Sequence, residues 1–349
     1  MNPAFEPGLV SVIIPAYNRA ALMSETLDSI WAQSYRPIEV LLVDDGSKEN
    51  IHGTLKTWLS SHPESDDFQV FYHRQQNAGA PTARNCGLRQ SRGEFIQFLD
   101  NDDLLGENKL RKQIRMLREQ DVKVAVYAQS QIFLKHGGQY VLRKTTEQTD
   151  EHTLRDWLSR RGVLSHCLLW QRADVRELGP WQEDLTANQD GEYGMRFLLN
   201  GGRMLFCPTT KAYYRLKIGH VDSISHARTR AADESRLAVL ERIEQGLIEN
   251  NELVSYRNEL ARSYLRLAVL VAPNSPDISA ICREKCAGLS PGMSLRSQFR
   301  LHHWLLYRVF GMKRGVGVLE KLQAWKMEFL VHRLPGNTLA RDASELYRE

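Results

Sequence analysis

The sequence predicts an α/β protein with a mostly parallel central sheet flanked by helices, followed by a helical C-terminal region. Three observations lead there. Short β-branched or aromatic runs recur through the first third of the chain, apolar residues at helical spacing follow the first two, and each run ends in a polar loop. Strands that alternate with helices build parallel sheets covered on both faces, and such sheets bind ligands at the carboxyl ends of their strands.

Residues 10–14 (VSVII) form the first run, stopped by Pro15 and the polar loop AYNR. Leu22/Met23, Thr26/Leu27 and Ile30/Trp31 then repeat every four residues, a helical stripe. Residues 38–43 give the second strand, ending on DDGS, with Ile51, Leu55, Trp58 and Leu59 at helical spacing behind it. Residues 68–72 are the third, and the loop that follows enters a helix near Pro81, a residue suited to a first turn. Residues 95–99 are the fourth and run into Asp100-Asn101-Asp102-Asp103. Four unusual polar loops therefore converge on one rim. Beyond residue 122 the pattern changes to short strands and helical pieces, and after about 225 to long Arg-rich helical stretches, with a linker expected at 272–277. We place an α/β domain at 6–226 and a helical, basic, amphipathic region at 227–349.

Composition narrows the class. A chain of 349 residues with 42% apolar and 25% charged residues can bury a sizeable core. A net charge of +4 argues against a nucleic-acid partner. The five scattered cysteines argue against a disulfide framework or a zinc site, which points to a reducing cytoplasm. No apolar run reaches the length of a membrane span, and the first residues lack a secretory pattern.

Three carboxylates in a row at a strand end repel one another unless a cation offsets them. Asp100 and Asp102, at i and i+2, can aim at one site once the chain turns, and Mg²⁺ typically takes one or two carboxylates plus substrate phosphates. A divalent metal, Mn²⁺ or Mg²⁺, holding a diphosphate is the expected occupant. Asp103 is expected to cap a helix beginning near Leu105. Asp45 of DDGS is either a turn residue or an acceptor for the N–H of a nucleoside base. Arg84 either faces solvent or donates to a base or phosphate. Asp190, before an apolar helical pattern, is either a cap or a base.

Together, "VSVIIPAYNRAALMSETLDSIWAQSYRPIEVLLVDDGS", "NAGAPTARNCGLRQSRGEFIQFLDNDDLL" and "QDGEYGMRFLLNGG" resemble glycosyltransferase family 2, inverting nucleotide-sugar-dependent enzymes of the GT-A fold. The resemblance covers about residues 8–225. It implies that Pro15, Tyr17, Asn18, Asp45, Arg84, Asp100 and Asn101 bind the nucleotide-sugar donor, that Asp102 with Asp100 holds the metal, and that Asp190 is the catalytic base. Gln189 stands where the family usually has Glu. His220 matches a histidine that members often carry for phosphate or metal, although a lone loop histidine is more often exposed. The Q-x-x-R-W motif of processive members is absent, so one sugar per encounter is expected.

The implied reaction moves a sugar to a hydroxyl of a glycan or lipid-linked acceptor in surface polysaccharide biosynthesis. A sugar nucleotidyltransferase is the first rival, but PAYNRA is not the Gly-rich basic loop it would carry. A non-catalytic nucleotide-sugar-binding protein is the second, and it would dispense with Asp190. Residues 296–334 carry eight Lys or Arg against two Glu, interleaved with Trp304, Tyr307, Phe310, Trp325 and Phe329. Such a segment either packs onto the α/β domain or lies on an anionic membrane at the inner face of the cell membrane.

Overall fold

The computed structural model describes residues 5–136, 139–145, 149–159, 161–216, 228–293 and 338–340. Strands β1 (Glu6–Ala16), β2 (Ile38–Asp44), β3 (Phe68–Arg74) and β4 (Gly93–Phe98) are mutually parallel in the order β3-β2-β1-β4. Helices α1 (Ala20–Trp31), α2 (Ile51–Ser61) and α3 (Ala80–Gln90) connect them. Since α3 carries the chain back past β1 to β4, the strand order reverses between β1 and β4, the place where open α/β sheets bind ligands.

Strands β1, β2 and β4 are buried on both faces, which is why they read as continuous apolar runs, whereas the edge strand β3 exposes Phe71, His73 and Arg74. Val10, Val12 and Ile14 of β1 face α1 and α2 through Met23, Leu27, Ile30 and Leu55. Ile13 points the other way, into a cluster with Phe98, Trp170, Trp181 and Tyr193. The alternation follows the two-residue period of a strand.

Past β4 the order changes. The chain continues through β5 (Leu104–Leu105), α4 (Lys109–Arg118), β6 (Val124–His136), β7 (Gln139–Thr145), β8 (Glu151–His152), α5 (Leu154–Leu158), a single 3₁₀ turn (Ser165–Cys167), β9 (Leu168–Gln171), α6 (Arg172–Leu178), α7 (Gln189–Leu199) and β10 (Arg203–Arg215). Strand β9 is antiparallel to β4 and β6, β7 is antiparallel to β6, and only β10 runs parallel to β6. The sheet is thus parallel on one side of β4 and mixed on the other. Parallel neighbours need a long crossover, and β6 and β7 are joined too closely to make one.

Helices α8 (Arg230–Glu249), α9 (Leu253–Val271) and α10 (Pro276–Leu289) form a second core with α5 and α7 through Leu158, Met195, Leu240, Tyr264 and Leu267. The stretch expected as a linker at 272–277 is instead a tight turn between α9 and α10. Ser275 within it is fully buried, and its hydroxyl donates to Asp233 Oδ2 at 2.9 Å. The last strand, β11 (Thr338–Ala340), pairs antiparallel with β7. Among the described residues no helix is long and apolar enough to cross a membrane.

Lys109, which opens α4, is fully buried, and its ammonium donates to Gln97 Oε1 of β4. Burial pushes it from the ordinary 10.5 down to about 7. Between those values the unfolded chain holds a proton that the folded one lacks, so this group makes stability rise with pH across that window. Lys109→Met is expected to raise the melting temperature at pH 7 more than at pH 10, which paired thermal melts would detect. An equal change at both values would refute the assignment.

Candidate functional site

The four loops do converge, and hydrogen bonds between them set the site. Asp44, fully buried at the end of β2, accepts from the Ser47 amide at 2.8 Å, the Tyr72 hydroxyl at 2.7 Å and Arg74 Nη1 at 3.0 Å. Although burial raises it, these donors together hold its pKa below the usual carboxylate range. The next residue, Asp45, reaches the loop after β3. Its Oδ1 accepts from Gln75 Nε2 and the Ala78 amide, and its Oδ2 from the Gly79 amide, each at 2.8 Å. A carboxylate has about four lone-pair positions, and three of those on Asp45 are taken within the protein. Much of its capacity shapes the loop that follows β3.

Gly46, the residue after Asp45, has φ +74, and a Cβ there would lie 2.8 Å from the Asn77 amide nitrogen. Only glycine fits both the torsion and the approach. Gly46→Ala is expected to cost about 1–3 kcal/mol in a denaturant melt, and an unchanged midpoint would show that the loop relaxes freely.

The loop after β1 turns through two consecutive left-handed residues, Asn18 (φ 58) and Arg19 (φ 64). Three hydrogen bonds hold this uncommon corner. The Asn18 amide donates to Ser47 Oγ at 2.8 Å, the Lys48 amide to Asn18 Oδ1 at 2.8 Å, and Asn101 Nδ2 to the Asn18 carbonyl at 2.9 Å. Asn101, buried within the D-x-D, is therefore the bolt between the first and fourth loops. The corner aims Arg19 at the carboxylates, and its Nη1 lies 3.0 Å from Asp102 Oδ2.

On the opposite side, Arg84 of α3 donates from Nη2 to Asp100 Oδ1 at 2.8 Å and from Nη1 to Gln189 Oε1 at 3.3 Å. The same Nη2 lies 3.8 Å from Asp190 Oδ1. The expected solvent-facing alternative does not hold, since the Arg84 side chain is 4% exposed. Asp190 is the second residue of α7, whose N-cap is Asn188, so Asp190 is not the cap. Its side chain is 38% exposed toward the cleft while Oδ1 is shielded and accepts no hydrogen bond of ordinary geometry. Burial lifts its pKa above the usual carboxylate range, with Arg84 pulling the other way.

Asp103 departs from expectation. The helix after the D-x-D starts at Lys109, with β5 intervening, so Asp103 caps nothing. It is fully buried, 3.1 Å from His166 Nδ1 through Oδ2, while Oδ1 accepts the Arg215 amide at 3.0 Å. Burial lifts its pKa to about 6, His166 opposing. This pair joins the 3₁₀ turn and β10 beneath the carboxylates.

The resulting cleft has a volume of about 1140 Å³. Pro15, Tyr17, Asn18, Asp45 and Arg84 line it together with Asp100, Asn101, Asp102 and Asp190, so all the expected site residues that the structure describes share one cavity. His220 lies outside the described residues, as does 296–334. The sequence reading missed Arg19, whose position beside Asn18 was the only local signal. It also missed the far wall, made by Trp157, Leu158, Met195, Leu240, Arg266 and Leu267 from α5, α7, α8 and α9. Ser263 and Arg266 of α9 both donate to the Leu158 carbonyl and fasten that wall to α5.

The residues present suit a divalent cation. Asp100 and Asp102 offer hard oxygens on one cleft floor, with Arg84 paired to Asp100 and Arg19 to Asp102. Among the described residues no group of three or more His, Cys, Asp or Glu could hold a metal. A metal at this floor would therefore draw the rest of its shell from water and phosphate oxygens, as Mg²⁺ commonly does.

The family model described as "Glycosyl transferase family 2" matches residues 11–178. Over that segment, just under half of the chain, the sequence is similar to glycosyltransferase family 2. Its curated relatives include an uncharacterized glycosyltransferase of Rickettsia felis, 30% identical over 54% of this chain and 31% of that protein. The minor teichoic acid biosynthesis protein GgaB of Bacillus subtilis is 30% identical over 44% of this chain and 16% of its own length. The chain spans about a third of the first relatives it matches. The crystal structure of S. aureus TarS 1–349 in complex with UDP-GlcNAc superposes with a TM-score of 0.55 at 18% identity, covering 80% of this chain and 88% of TarS. That likeness shows the GT-A fold. The family match ends at 178, so Asp190 and helices α8 to α10 lie beyond it.

Proposed function

We propose that this protein is a non-processive glycosyltransferase. It moves a sugar from a nucleoside diphosphate sugar, first of all a UDP-sugar, to a hydroxyl of a glycan or lipid-linked saccharide, with inversion, in surface polysaccharide assembly. The observation that carries this reading is the half-shielded Asp190 carboxylate facing the D-x-D across Arg84 in one cleft. The UDP-GlcNAc of TarS and the teichoic acid role in the name of GgaB support the donor and the pathway class.

The chain's own groups divide the work. Tyr17, 45% exposed at the cleft, and Asp45 receive the nucleoside. The acceptor enters from the wall of α5, α8 and α9. Asp190 takes the proton of its hydroxyl as that oxygen bonds to the anomeric carbon and the bond to the diphosphate oxygen breaks. A positioned base of this kind is worth about 10²–10⁴-fold. Mn²⁺ or Mg²⁺, held by Asp100 and Asp102, would supply charge neutralisation to the departing diphosphate. Arg19 adds a fixed positive charge beside Asp102.

The test is a thermal-shift panel of UDP-, GDP- and dTDP-sugars with and without Mn²⁺, followed by product detection. A ligand at 100 times its Kd adds about 2.7 kcal/mol to the folded state. No shift with any nucleoside diphosphate would overturn the reading. Pyrophosphate release from a nucleoside triphosphate would favour the nucleotidyltransferase, and binding without any sugar transfer or donor hydrolysis would favour a sensor.

We also propose that 296–334 holds the protein at an anionic membrane face, from its charge excess and aromatic content. Sedimentation with anionic vesicles at low salt should exceed that with neutral ones and fall at high salt. Equal non-binding in every condition would assign the segment to packing.

A further inference from the structure

Arg84 reaches both halves of the site, and hydrogen bonds alone do not fix it. Its Nη1 and Nη2 are engaged by Gln189 and Asp100, while its Nε is buried and donates to nothing. Two donors at one edge leave the guanidinium plane free to tip. What lies against that plane is Trp181, with the Arg84 Cζ 4.5 Å from the ring centroid.

The indole is itself built in. Trp181 stacks on Tyr193 of α7 at 4.2 Å with an interplanar angle of 6°, and the Phe98 ring of β4 meets it edge-on at 5.0 Å. Its backbone is clamped to the residue after Arg84. Asn85 Nδ2 donates to the Trp181 carbonyl, and the Trp181 amide donates to Asn85 Oδ1, both at 2.9 Å. The indole N–H is buried without a partner. An unpaired buried donor costs about 1–3 kcal/mol, which a phenyl ring or an aliphatic chain would avoid. The ring is therefore oriented by its face rather than by its polar edge.

We propose that Trp181 is a positioning residue whose π face fixes the plane of Arg84, and through it the spacing between the Asp100/Asp102 pair and Asp190. This rests on the reading of Asp190 as the base. A guanidinium over a desolvated indole is held electrostatically as well as by contact. Its loss leaves Arg84 charged and near, but no longer aimed.

The full-length protein tests this in two ways. The first needs no turnover. Carboxyl-¹³C-labelled aspartate follows the titration of Asp190, assigned by its disappearance in Asp190→Asn, in wild type, Trp181→Leu and Trp181→Phe. The groups facing Asp190 are Arg84, Asp100, His166 and the Ser165 hydroxyl, and of these Arg84 lies over the Trp181 ring. An opposite charge within about 4–6 Å lowers a carboxyl pKa by roughly 1–3 units. Displacing Arg84 in Trp181→Leu should therefore raise the Asp190 midpoint by roughly a unit, and Trp181→Phe should restore it. An unchanged midpoint in the leucine variant overturns the proposal. If Trp181→Leu does not fold, Trp181→Met fills the space without a π face and takes its place.

The second is a double-mutant cycle on turnover. Trp181→Leu should lower kcat by about 10- to 100-fold, with the donor KM nearly unchanged, and should add little in an Arg84→Ala background. Full additivity would make Trp181 core packing only and overturn the proposal. A wild-type protein that turns over no nucleotide sugar would instead fail the glycosyltransferase reading, and the titration would still decide the role of Trp181.

Discussion

Asp190→Asn is expected to lower kcat by about 10²–10⁴ while leaving the Kd for the nucleoside diphosphate nearly unchanged. The substitution keeps the shape and removes the proton acceptor alone. Arg84 retains Asp100 and Gln189, so the donor floor stays in place. Two further readouts separate a base from a structural carboxylate. Burial raises the Asp190 pKa above the ordinary carboxylate value, and a base works only when deprotonated. The acid limb of the wild-type kcat/KM profile should therefore sit above that ordinary value and be lost in the variant. Stability should move the other way. With a raised folded pKa, the native state binds more protons than the unfolded one across that window, so stability falls as pH rises through it. Removing the charge should leave the Asn variant melting at or above wild type at pH 8. A proportionate loss of nucleotide affinity, or a variant that melts well below wild type, would mark Asp190 as structural.

The parallel half of the sheet was legible because β1, β2 and β4 are buried on both faces and the first two crossovers are amphipathic helices with their own period. Legibility failed where partners are remote in sequence. Asp103 reads locally like a helix cap, yet its partners are His166 and Arg215. The expected linker at 272–277 contains a buried serine because α9 and α10 fold against α8, which local composition does not record. The site shows the same division. Asp100, Asp102 and Asp190 stood out because carboxylates at strand and helix ends need a reason to be there, and the fold brings all three to one cleft. Asp45 reads either as a turn residue or as an acceptor for a nucleoside base, and three of its acceptor positions serve the loop at 75–79. Trp181 and the α9 wall could not be read at all, since an apolar residue at a helix boundary or on a helical stripe looks the same whether it faces a core or a cleft.

Asp102→Ala is expected to abolish the metal-stimulated part of donor binding and turnover, with the fold retained. Asp102 is buried and lies one residue from Asp103 and two from Asp100, so removing it relieves like-charge repulsion. The Arg19 side chain beside it is about a third exposed and can turn to solvent or to a donor phosphate. The net effect on stability is therefore small. Binding should respond differently with and without metal. In wild type, adding Mn²⁺ should strengthen UDP binding, and a chelator should reverse it. In the variant the two titrations should coincide, since Asp100 alone, with one oxygen on Arg84, offers a divalent cation little charge. Arg19→Ala provides the contrast: it removes a fixed cation but no ligand, so metal should still strengthen UDP binding, from a weaker starting affinity. Calorimetry of UDP with and without Mn²⁺ on the three proteins decides it. Metal stimulation surviving in Asp102→Ala at the wild-type level would take Asp102 out of the site.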